Sequence, residues 1–176
     1  GIAVGNTPNV LDGATADITF ALLLAGARNI VKGDSFARGP HFREYDPSFM
    51  LGQEVHHQTL GIIGLGNIGY QVARRAKGFD MTILYHNRNK NPKAESDLGV
   101  RYAALDELLM RSDFVALNMP LTNETRGMIG SRELALMKDS AVLVNAARGG
   151  VIDHSALLET MRAGKLHCAA LDVTEP

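Results

Sequence analysis

Residues 64–69 form a glycine-rich turn that restricts the fold of this chain more than any other feature. A short apolar run at 60–63 comes directly before it, and a helical pattern that includes Val72 and Ala73 comes directly after it. A strand, a glycine turn and a helix in this order are typical of the first βαβ unit of a parallel sheet. The turn fits the pattern G-x-G-x-x-G, with the residues Gly64, Leu65, Gly66, Asn67, Ile68 and Gly69.

The spacing of the three glycines predicts a binding site for the diphosphate of a dinucleotide. Gly64 permits a tight turn, Gly66 lets the main chain approach the diphosphate, and Gly69 lets the helix pack closely on the strand. Asn67 and Ile68 are expected to offer main-chain N–H groups at the positive end of the helix dipole. All six residues of the turn are therefore expected at the site. The alternative is a glycine-rich turn that only ends a strand.

From residue 59 onward, apolar runs alternate with helical patterns. The runs are apolar almost throughout, which is typical of strands covered on both faces. Their alternation with helices predicts right-handed crossovers, so we expect a doubly wound α/β domain with a six-stranded parallel sheet of the Rossmann type. Strands are predicted at 60–63, 81–85, 100–102, 114–117, 141–144 and 168–173, and helices at 68–77, 105–110, 132–137 and 153–163.

The part before residue 59 predicts one helix and a long connection. A helical pattern starts at Ala14 and continues for about five turns, with Gly33 as its expected stop. Residues 20–24 are consecutively apolar, so this helix is expected to be buried on more than one side. It is either an ordinary core helix or a contact to another domain or subunit. Residues 35–57 are irregular and predict a linker.

Charge and composition exclude several classes of protein. Eighteen Lys and Arg residues against nineteen Asp and Glu give a net charge of -1, so we expect no nucleic-acid partner. The longest apolar run, 18–27, is shorter than the roughly 18 to 20 residues of a membrane span, and we expect a cytoplasmic protein without a membrane partner. Cys168 is the only cysteine, which excludes an internal disulfide. The adjacent His56 and His57 would face opposite sides of a strand, so no metal site is expected.

The end of the second predicted strand indicates which dinucleotide binds. About 20 residues after such a turn, NAD-binding proteins place an acidic residue on the adenosine ribose. Here the strand ends in His86, Asn87, Arg88, Asn89 and Lys90, without a carboxylate. Arg88, supported by Asn87 and Lys90, can bind a 2′-phosphate through charge-assisted hydrogen bonds, which favours NADPH over NADH. The alternative is a solvated basic loop.

An ordered set of motifs extends over nearly all of the chain. Besides the glycine turn, it comprises Asn6-Thr7-Pro8, 14–17, 20–28, Val72-Ala73-Arg74, 105–109, Pro120-Leu121-Thr122, Glu124-Thr125, 143–149 and 170–173. This set resembles the D-isomer-specific 2-hydroxyacid dehydrogenases, most closely their glyoxylate/hydroxypyruvate reductase branch. The basic ending at 86–88 also resembles the NADP-using members of that family.

The resemblance implies roles for residues at several strand ends. Arg148 corresponds to the arginine that binds the carboxylate of a 2-oxo acid and polarises its keto group, a role that suits a guanidinium fork. The alternatives for Arg148 are a turn cap or an ion pair with Asp153. For the cofactor, the resemblance implies that Asn118 and Pro120 border the nicotinamide half and that Thr125 hydrogen-bonds to the phosphates. It also implies that Asp172 accepts a hydrogen bond from the carboxamide, with Ala146 nearby.

The reaction that the resemblance implies is hydride transfer from the nicotinamide to glyoxylate or hydroxypyruvate. In the family, a histidine held charged by a glutamate supplies the proton. Glu175 follows Asp172 too closely to match that glutamate, so the chain is expected to stop before it. The six histidines, His41, His56, His57, His86, His154 and His167, are expected to be surface or satisfied residues rather than the acid.

These observations predict the NADPH-binding domain of a 2-oxoacid reductase that is not active alone. The expected units are an exit strand and turn from a largely absent substrate domain at 1–12, an interdomain helix and linker at 13–58, and the dinucleotide-binding domain at 59–176. Because the chain opens at Gly1 without a methionine, we expect an excised or processed piece. We also expect a homodimer to which the apolar helix at 14–31 contributes. The alternatives are a non-catalytic dinucleotide sensor or corepressor-like scaffold, and an interaction domain that has lost nucleotide binding.

Overall fold

Six parallel strands form one sheet in the computed structural model, which describes residues 2–3, 5, 10–44 and 46–175. In chain order the strands are β1 (Thr59–Ile63), β2 (Thr82–His86), β3 (Arg101–Tyr102), β4 (Phe114–Leu117), β5 (Val142–Asn145) and β6 (Cys168–Leu171). Their spatial order is β3-β2-β1-β4-β5-β6. This is the order of the doubly wound Rossmann fold, so the predicted fold class is confirmed. The expected exit strand and turn fall largely on residues 1, 4 and 6–9, outside the described residues.

Seven α-helices and one 3₁₀ turn, Gly149–Val151, connect and flank these strands in the described residues. The helices are α1 (Asp12–Ala27), α2 (Ile30–Ala37), α3 (Asn67–Lys77), α4 (Pro92–Leu98), α5 (Leu105–Arg111), α6 (Ser131–Leu136) and α7 (His154–Arg162). The sequence analysis missed α4, which buries only Ala94 and so has no apolar period. The sequence nevertheless has residues typical of helix ends at both ends of α4. The Asn91 side chain caps its first turn, and Gly99 ends the helix with φ 69°.

Alternate residues of the central strands face two separate cores. Phe114 and Ala116 of β4 pack in the core that includes α1 and α3, whereas Val115 and Leu117 pack in the core that includes α5, α6 and α7. All four side chains are fully buried. Burial on both faces is the reason that β4 is apolar at every position.

The first helix is shorter than predicted, because the chain bends by 61° after it. Asn29 adopts the left-handed conformation with φ 53°, and Gly33, the expected stop, lies inside α2. Helix α1 packs its buried face, including Phe20 and Leu23, into the core of the sheet. Its remaining face is not buried, since Ile18 is 39% exposed. Within this chain α1 is therefore buried on one side, and burial of its other face against another domain or subunit stays a prediction.

No single helix in the described residues is both long and apolar enough to cross a membrane. Only the bent pair of α1 and α2 meets that criterion, by length and composition alone.

His56 and His57 do not face apart, as they would on a strand. They lie in a turn before β1, and His57 has a left-handed φ of 63°. This conformation brings both imidazole rings to the same side, with their centroids 3.6 Å apart.

Gly69 fixes how closely α3 approaches β1. A Cβ atom at this position would lie 2.3 Å from the Gly64 carbonyl oxygen, which is far inside van der Waals contact. We expect Gly69→Ala to lower the free energy of unfolding by about 1–3 kcal/mol through overpacking, as measured by denaturant titration. Gly33→Ala is the matched control, because a Cβ there meets no atom within 4 Å and a helical alanine stabilises by about 0.5–1 kcal/mol. Equal effects of the two substitutions would contradict this account.

Candidate functional site

The carboxyl ends of five neighbouring strands lie in one row. The last residues of β2, β1, β4, β5 and β6 are register partners of one another, namely His86, Ile63, Leu117, Asn145 and Leu171. At the usual strand spacing this row is roughly 19 Å long. The residue that follows each of these strands was expected at the site. These residues therefore lie along one edge of the sheet: Asn87, Gly64, Asn118, Ala146 and Asp172.

A cavity of about 410 Å³ opens where the loops after β1, β2 and β4 meet. The strand order reverses between β1 and β4, and ligands of open α/β sheets bind at such a switch point. The volume lies in the range of small-molecule sites. Seven residues expected at the site line this cavity, namely Gly64, Gly66, Asn87, Arg88, Asn118, Pro120 and Thr125. The other seven, Leu65, Asn67, Ile68, Gly69, Ala146, Arg148 and Asp172, do not line it.

The glycine turn has the backbone geometry that the sequence predicted. Gly64 has φ 97°, and a Cβ there would lie 2.6 Å from the main-chain nitrogen of Met119. A Cβ at Gly66 would instead meet nothing within 4 Å, because this residue faces the cavity. Helix α3 begins at the next residue, and the first turn of a helix has N–H groups without an intrahelical partner. The turn therefore presents main chain, rather than side chain, to the cavity.

The side-chain amide of Asn87 is hydrogen-bonded to the glycine turn. Its Oδ1 accepts a hydrogen bond from the Leu65 N–H at 2.7 Å, and its Nδ2 donates to the Leu65 carbonyl at 3.3 Å. The Leu65 N–H is thus used within the protein. Asn87 instead fixes the turn to the end of β2.

A second set of hydrogen bonds, which the sequence analysis missed, holds the β2–α4 loop. The buried Tyr85 hydroxyl donates to Glu95 Oε1 at 2.7 Å and accepts the Asn91 N–H at 2.7 Å. Asn91 Nδ2 donates in turn to the Leu65 carbonyl at 3.3 Å. Burial raises the pKa of Tyr85, which keeps its hydroxyl protonated as a donor. The available signal was a tyrosine in an apolar strand, since a buried tyrosine hydroxyl needs a partner.

Arg88 is exposed at the rim of the cavity, where its charge acts on the acidic side chain of Glu124. Glu124 also lines the cavity and accepts a hydrogen bond from Thr122 Oγ1 at 2.7 Å. That bond, together with the guanidinium of Arg88, holds the pKa of Glu124 below its usual value. Lys90 points elsewhere, with its Nζ 5.4 Å from the centroid of the Tyr102 ring.

Two expected site residues in the loop after β4 differ in their hydrogen bonding. Both amide atoms of Asn118 are buried, yet they have no hydrogen-bond partner among the described residues. Thr125 Oγ1 donates to the Pro120 carbonyl at 2.7 Å and accepts the Thr122 N–H at 2.8 Å. Donation from Thr125 to a phosphate would require the bond to Pro120 to break, so in this structure Thr125 shapes the loop.

Arg148 projects from a loop that a buried asparagine shapes. Asn145 is fully buried; its Nδ2 donates to the Arg148 carbonyl at 2.9 Å and its Oδ1 accepts the Ala147 N–H at 3.0 Å. Sequence reasoning did not single out Asn145, although a polar residue at the end of an apolar strand was the signal. Arg148 is exposed and does not pair with Asp153, which caps α7 through the N–H groups of Ser155 and Ala156.

The fold and the turn at its carboxyl edge define a doubly wound, nucleotide-binding α/β domain. Residues 20–176 match the family model described as "D-isomer specific 2-hydroxyacid dehydrogenase, NAD binding domain". The chain belongs to this family, which confirms the resemblance found in its motifs.

Similar proteins of known name or structure are about twice as long as this chain. Glyoxylate reductase from Pyrococcus furiosus is 50% identical over 179 residues, which cover 99% of this chain and 53% of that protein. The crystal structure of a Thermus thermophilus protein matches with a TM-score of 0.94 at 44% identity, over 100% of this chain and 55% of the other. D-lactate dehydrogenase from Aquifex aeolicus, solved with NAD and lactic acid, matches with a TM-score of 0.90 at 35% identity, over 99% and 52%.

Tyr85→Phe tests whether the hydrogen bonds of the β2–α4 loop stabilise the fold. The substitution keeps the ring and leaves the Asn91 N–H and the Glu95 carboxylate without their shared partner. We expect the free energy of unfolding to fall by about 1–3 kcal/mol, measured by denaturant titration. Tyr102→Phe is the control, because the Tyr102 hydroxyl has no hydrogen-bond partner in the part of the chain described; its effect should stay within about 0.5 kcal/mol. A neutral Tyr85→Phe would show that these bonds contribute nothing net.

Proposed function

We propose that the cavity at the carboxyl edge binds NADPH, as the cofactor-binding half of a 2-oxoacid reductase. The observation that carries this proposal is Asn118, whose two amide atoms are buried in the cavity lining and have no partner in the part of the chain that the structure describes. A buried, unsatisfied amide is costly, and a ligand that forms hydrogen bonds with it removes that cost. The open space beside Gly66, at the start of α3, fits the diphosphate of the same ligand.

The proposed contacts follow the row of strand ends. The diphosphate lies against Gly66 and the first turn of α3, which contains Asn67 and Ile68, while Leu65 and Gly69 hold the turn in shape. Asn118 and Pro120 lie toward the nicotinamide half. Ala146 and Asp172, further along the row, lie beside the carboxamide, where the exposed Asp172 carboxylate accepts a hydrogen bond. Family membership supports a nicotinamide dinucleotide at this edge.

The preference for NADPH rests on the charges around Arg88. No carboxylate follows β2, so the ribose diol of NADH lacks the acceptor usual in NAD sites. Arg88 is exposed at the cavity rim and is free of a close ion pair among the described residues, because Glu124 acts on it only at longer range. A 2′-phosphate would bind its guanidinium through charge-assisted hydrogen bonds.

Arg88→Ser tests both the cofactor site and its selectivity. The wild-type chain should show a saturable, NADPH-dependent rise in its unfolding midpoint, about 2.7 kcal/mol of stabilisation at 100 times the Kd. Loss of a charged hydrogen bond predicts an NADPH Kd about 10- to 100-fold higher and an NADH Kd changed by less than about twofold. Lys90→Ser removes the same charge from the same loop and should leave both Kd values nearly unchanged. An unaltered ratio of the two affinities in Arg88→Ser would overturn the NADPH preference.

We infer that the substrate of the whole protein is a small 2-oxo acid such as glyoxylate or hydroxypyruvate. Arg148 is exposed on its loop, so its guanidinium can bind and orient the substrate carboxylate. A bound reduced nicotinamide would supply the hydride. The chain spans about half the length of its glyoxylate reductase relatives. We therefore assign only Arg148 of this chain to the substrate pocket.

The absence of a suitable proton donor supports the inference that residues 1–176 are a poor reductase alone. His86 is the one histidine among the described residues that lines the cavity. It lies at the end of β2, beside the proposed adenosine half, and its Nδ1 is 3.1 Å from the Ala103 carbonyl oxygen. The keto oxygen would lie at the other end of the row, near Arg148. The same observation is compatible with the second candidate, a non-catalytic dinucleotide sensor.

Oxidation of NADPH by glyoxylate, followed spectroscopically with residues 1–176, tests this inference. Binding of NADPH without appreciable turnover is expected, because hydride transfer to a keto group needs a positioned acid, worth about 10²- to 10⁴-fold in rate. Turnover at a normal enzymatic rate would show that the acid is present in this chain. In the full-length protein, turnover separates the reductase from the sensor.

We also infer a homodimer. Apolar side chains are exposed on and around α2, namely Ile30, Val31, Phe42, Phe49 and Leu51. Exposed apolar side chains of an ordinary surface are scattered singly, whereas these are grouped around one helix, as in a protein interface. The mass in solution, from sedimentation velocity, tests this assignment.

A further inference from the structure

A cluster of three metal-ligating side chains lies at the amino end of the sheet, opposite the cofactor cavity. His56 and His57 precede β1, and Asp80 precedes β2. One nitrogen of each imidazole and one carboxylate oxygen all lie within 4.8 Å of one another. All three side chains are exposed, so an ion from solvent can reach them.

Main-chain hydrogen bonds hold the two segments of this cluster together. The His57 N–H donates to the Phe79 carbonyl at 2.9 Å, and the Thr82 N–H donates to the Gln58 carbonyl at 3.0 Å. His57 and Asp80 are themselves left-handed, with φ of 63° and 50°. Non-glycine residues adopt this conformation rarely, and it persists where the surroundings enforce it. The cluster is thus organised by the backbone before any ion binds.

Glu54 orients one of the two imidazoles in the manner of a metal site. Its Oε1 lies 3.0 Å from His56 Nδ1. When Nδ1 donates to this carboxylate, the lone pair of the imidazole is on Nε2. A carboxylate that fixes the tautomer of a histidine and raises its basicity is the usual outer partner of a metal ligand.

We propose that His56, His57 and Asp80 bind one divalent transition-metal ion, with Glu54 as the positioning residue for His56. Two imidazoles and one carboxylate suit Zn²⁺, Ni²⁺ or Cu²⁺, whereas Mg²⁺ and Ca²⁺ prefer oxygen ligands alone. Ligands at roughly 2.1 Å from a common ion lie at most about 4.2 Å apart, so small rotations of exposed side chains complete the geometry. The remaining coordination positions would be filled by water.

The proposed ion would join the connection before β1 to the turn between α3 and β2. Strands β1 and β2 are five residues long, which places the cluster about 16 Å from the glycine turn. An ion there cannot touch the dinucleotide or the substrate. Its expected effect is on stability, and the proposal is independent of the cofactor assignment.

Calorimetric titration of the chain with ZnCl₂ tests the proposal. His57→Asn and Asp80→Asn each remove one ligand, and asparagine tolerates the left-handed backbone. His41→Asn is the matched control, because it removes an imidazole outside the cluster. We expect one Zn²⁺ per chain in the wild type, at least about tenfold weaker binding in both cluster variants, and unchanged binding in the control. Far-ultraviolet circular dichroism without metal confirms that each variant is folded.

Two further measurements separate a built site from adventitious binding. Zn²⁺ should raise the unfolding midpoint of the wild type and of His41→Asn, but not that of Asp80→Asn. Glu54→Gln keeps the three ligands and should weaken Zn²⁺ binding by about tenfold, since it removes only the orienting charge. Zn²⁺ binding that is equal in the wild type and Asp80→Asn, or lost to the same extent in His41→Asn, would overturn the proposal.

Discussion

The close approach of the Gly69 main chain to the Gly64 carbonyl is the constraint that organises the site. Because no side chain fits between them, α3 begins almost directly at the end of β1. Its N-terminal turn therefore opens on the cavity at the switch point of the sheet. Gly66 lies between these two glycines and faces open space, so the same short segment provides both close packing and accessible main chain.

Asparagine side chains near the ends of the strands hydrogen-bond to the loops at this edge. Asn87 pairs with both polar groups of Leu65, and Asn145 holds the loop that carries Arg148. Asn118 lies in the same row but has no partner among the described residues. A side-chain amide both donates and accepts, so it can replace the main-chain partners that a strand loses where it ends. Asn118, whose buried amide atoms have no partner in the described part of the chain, also lines the cavity.

The two ends of β1 and β2 differ in how they place polar groups. At the carboxyl end, main-chain groups and amides surround a cavity, and the exposed charges of Arg88 and Glu124 lie at its rim. At the amino end, His57 and Asp80 are brought together on the surface by left-handed turns. The strands keep these two sites apart, so an effect at one end need not alter ligand binding at the other.

The parallel sheet could be predicted from the residues alone, because apolar runs typical of strands buried on both faces and a glycine turn after the first of them favour a doubly wound topology. The residues that follow each strand could be identified in the same way. Their actual contacts emerged only from the folded chain: Asn87 bonds to Leu65, Thr125 bonds to the Pro120 carbonyl, and two adjacent histidines share one side of a turn. Periodicity records which face of an element is buried, whereas hydrogen-bond partners distant in sequence and left-handed turns leave no periodic signal, so such contacts exist only once the chain has folded.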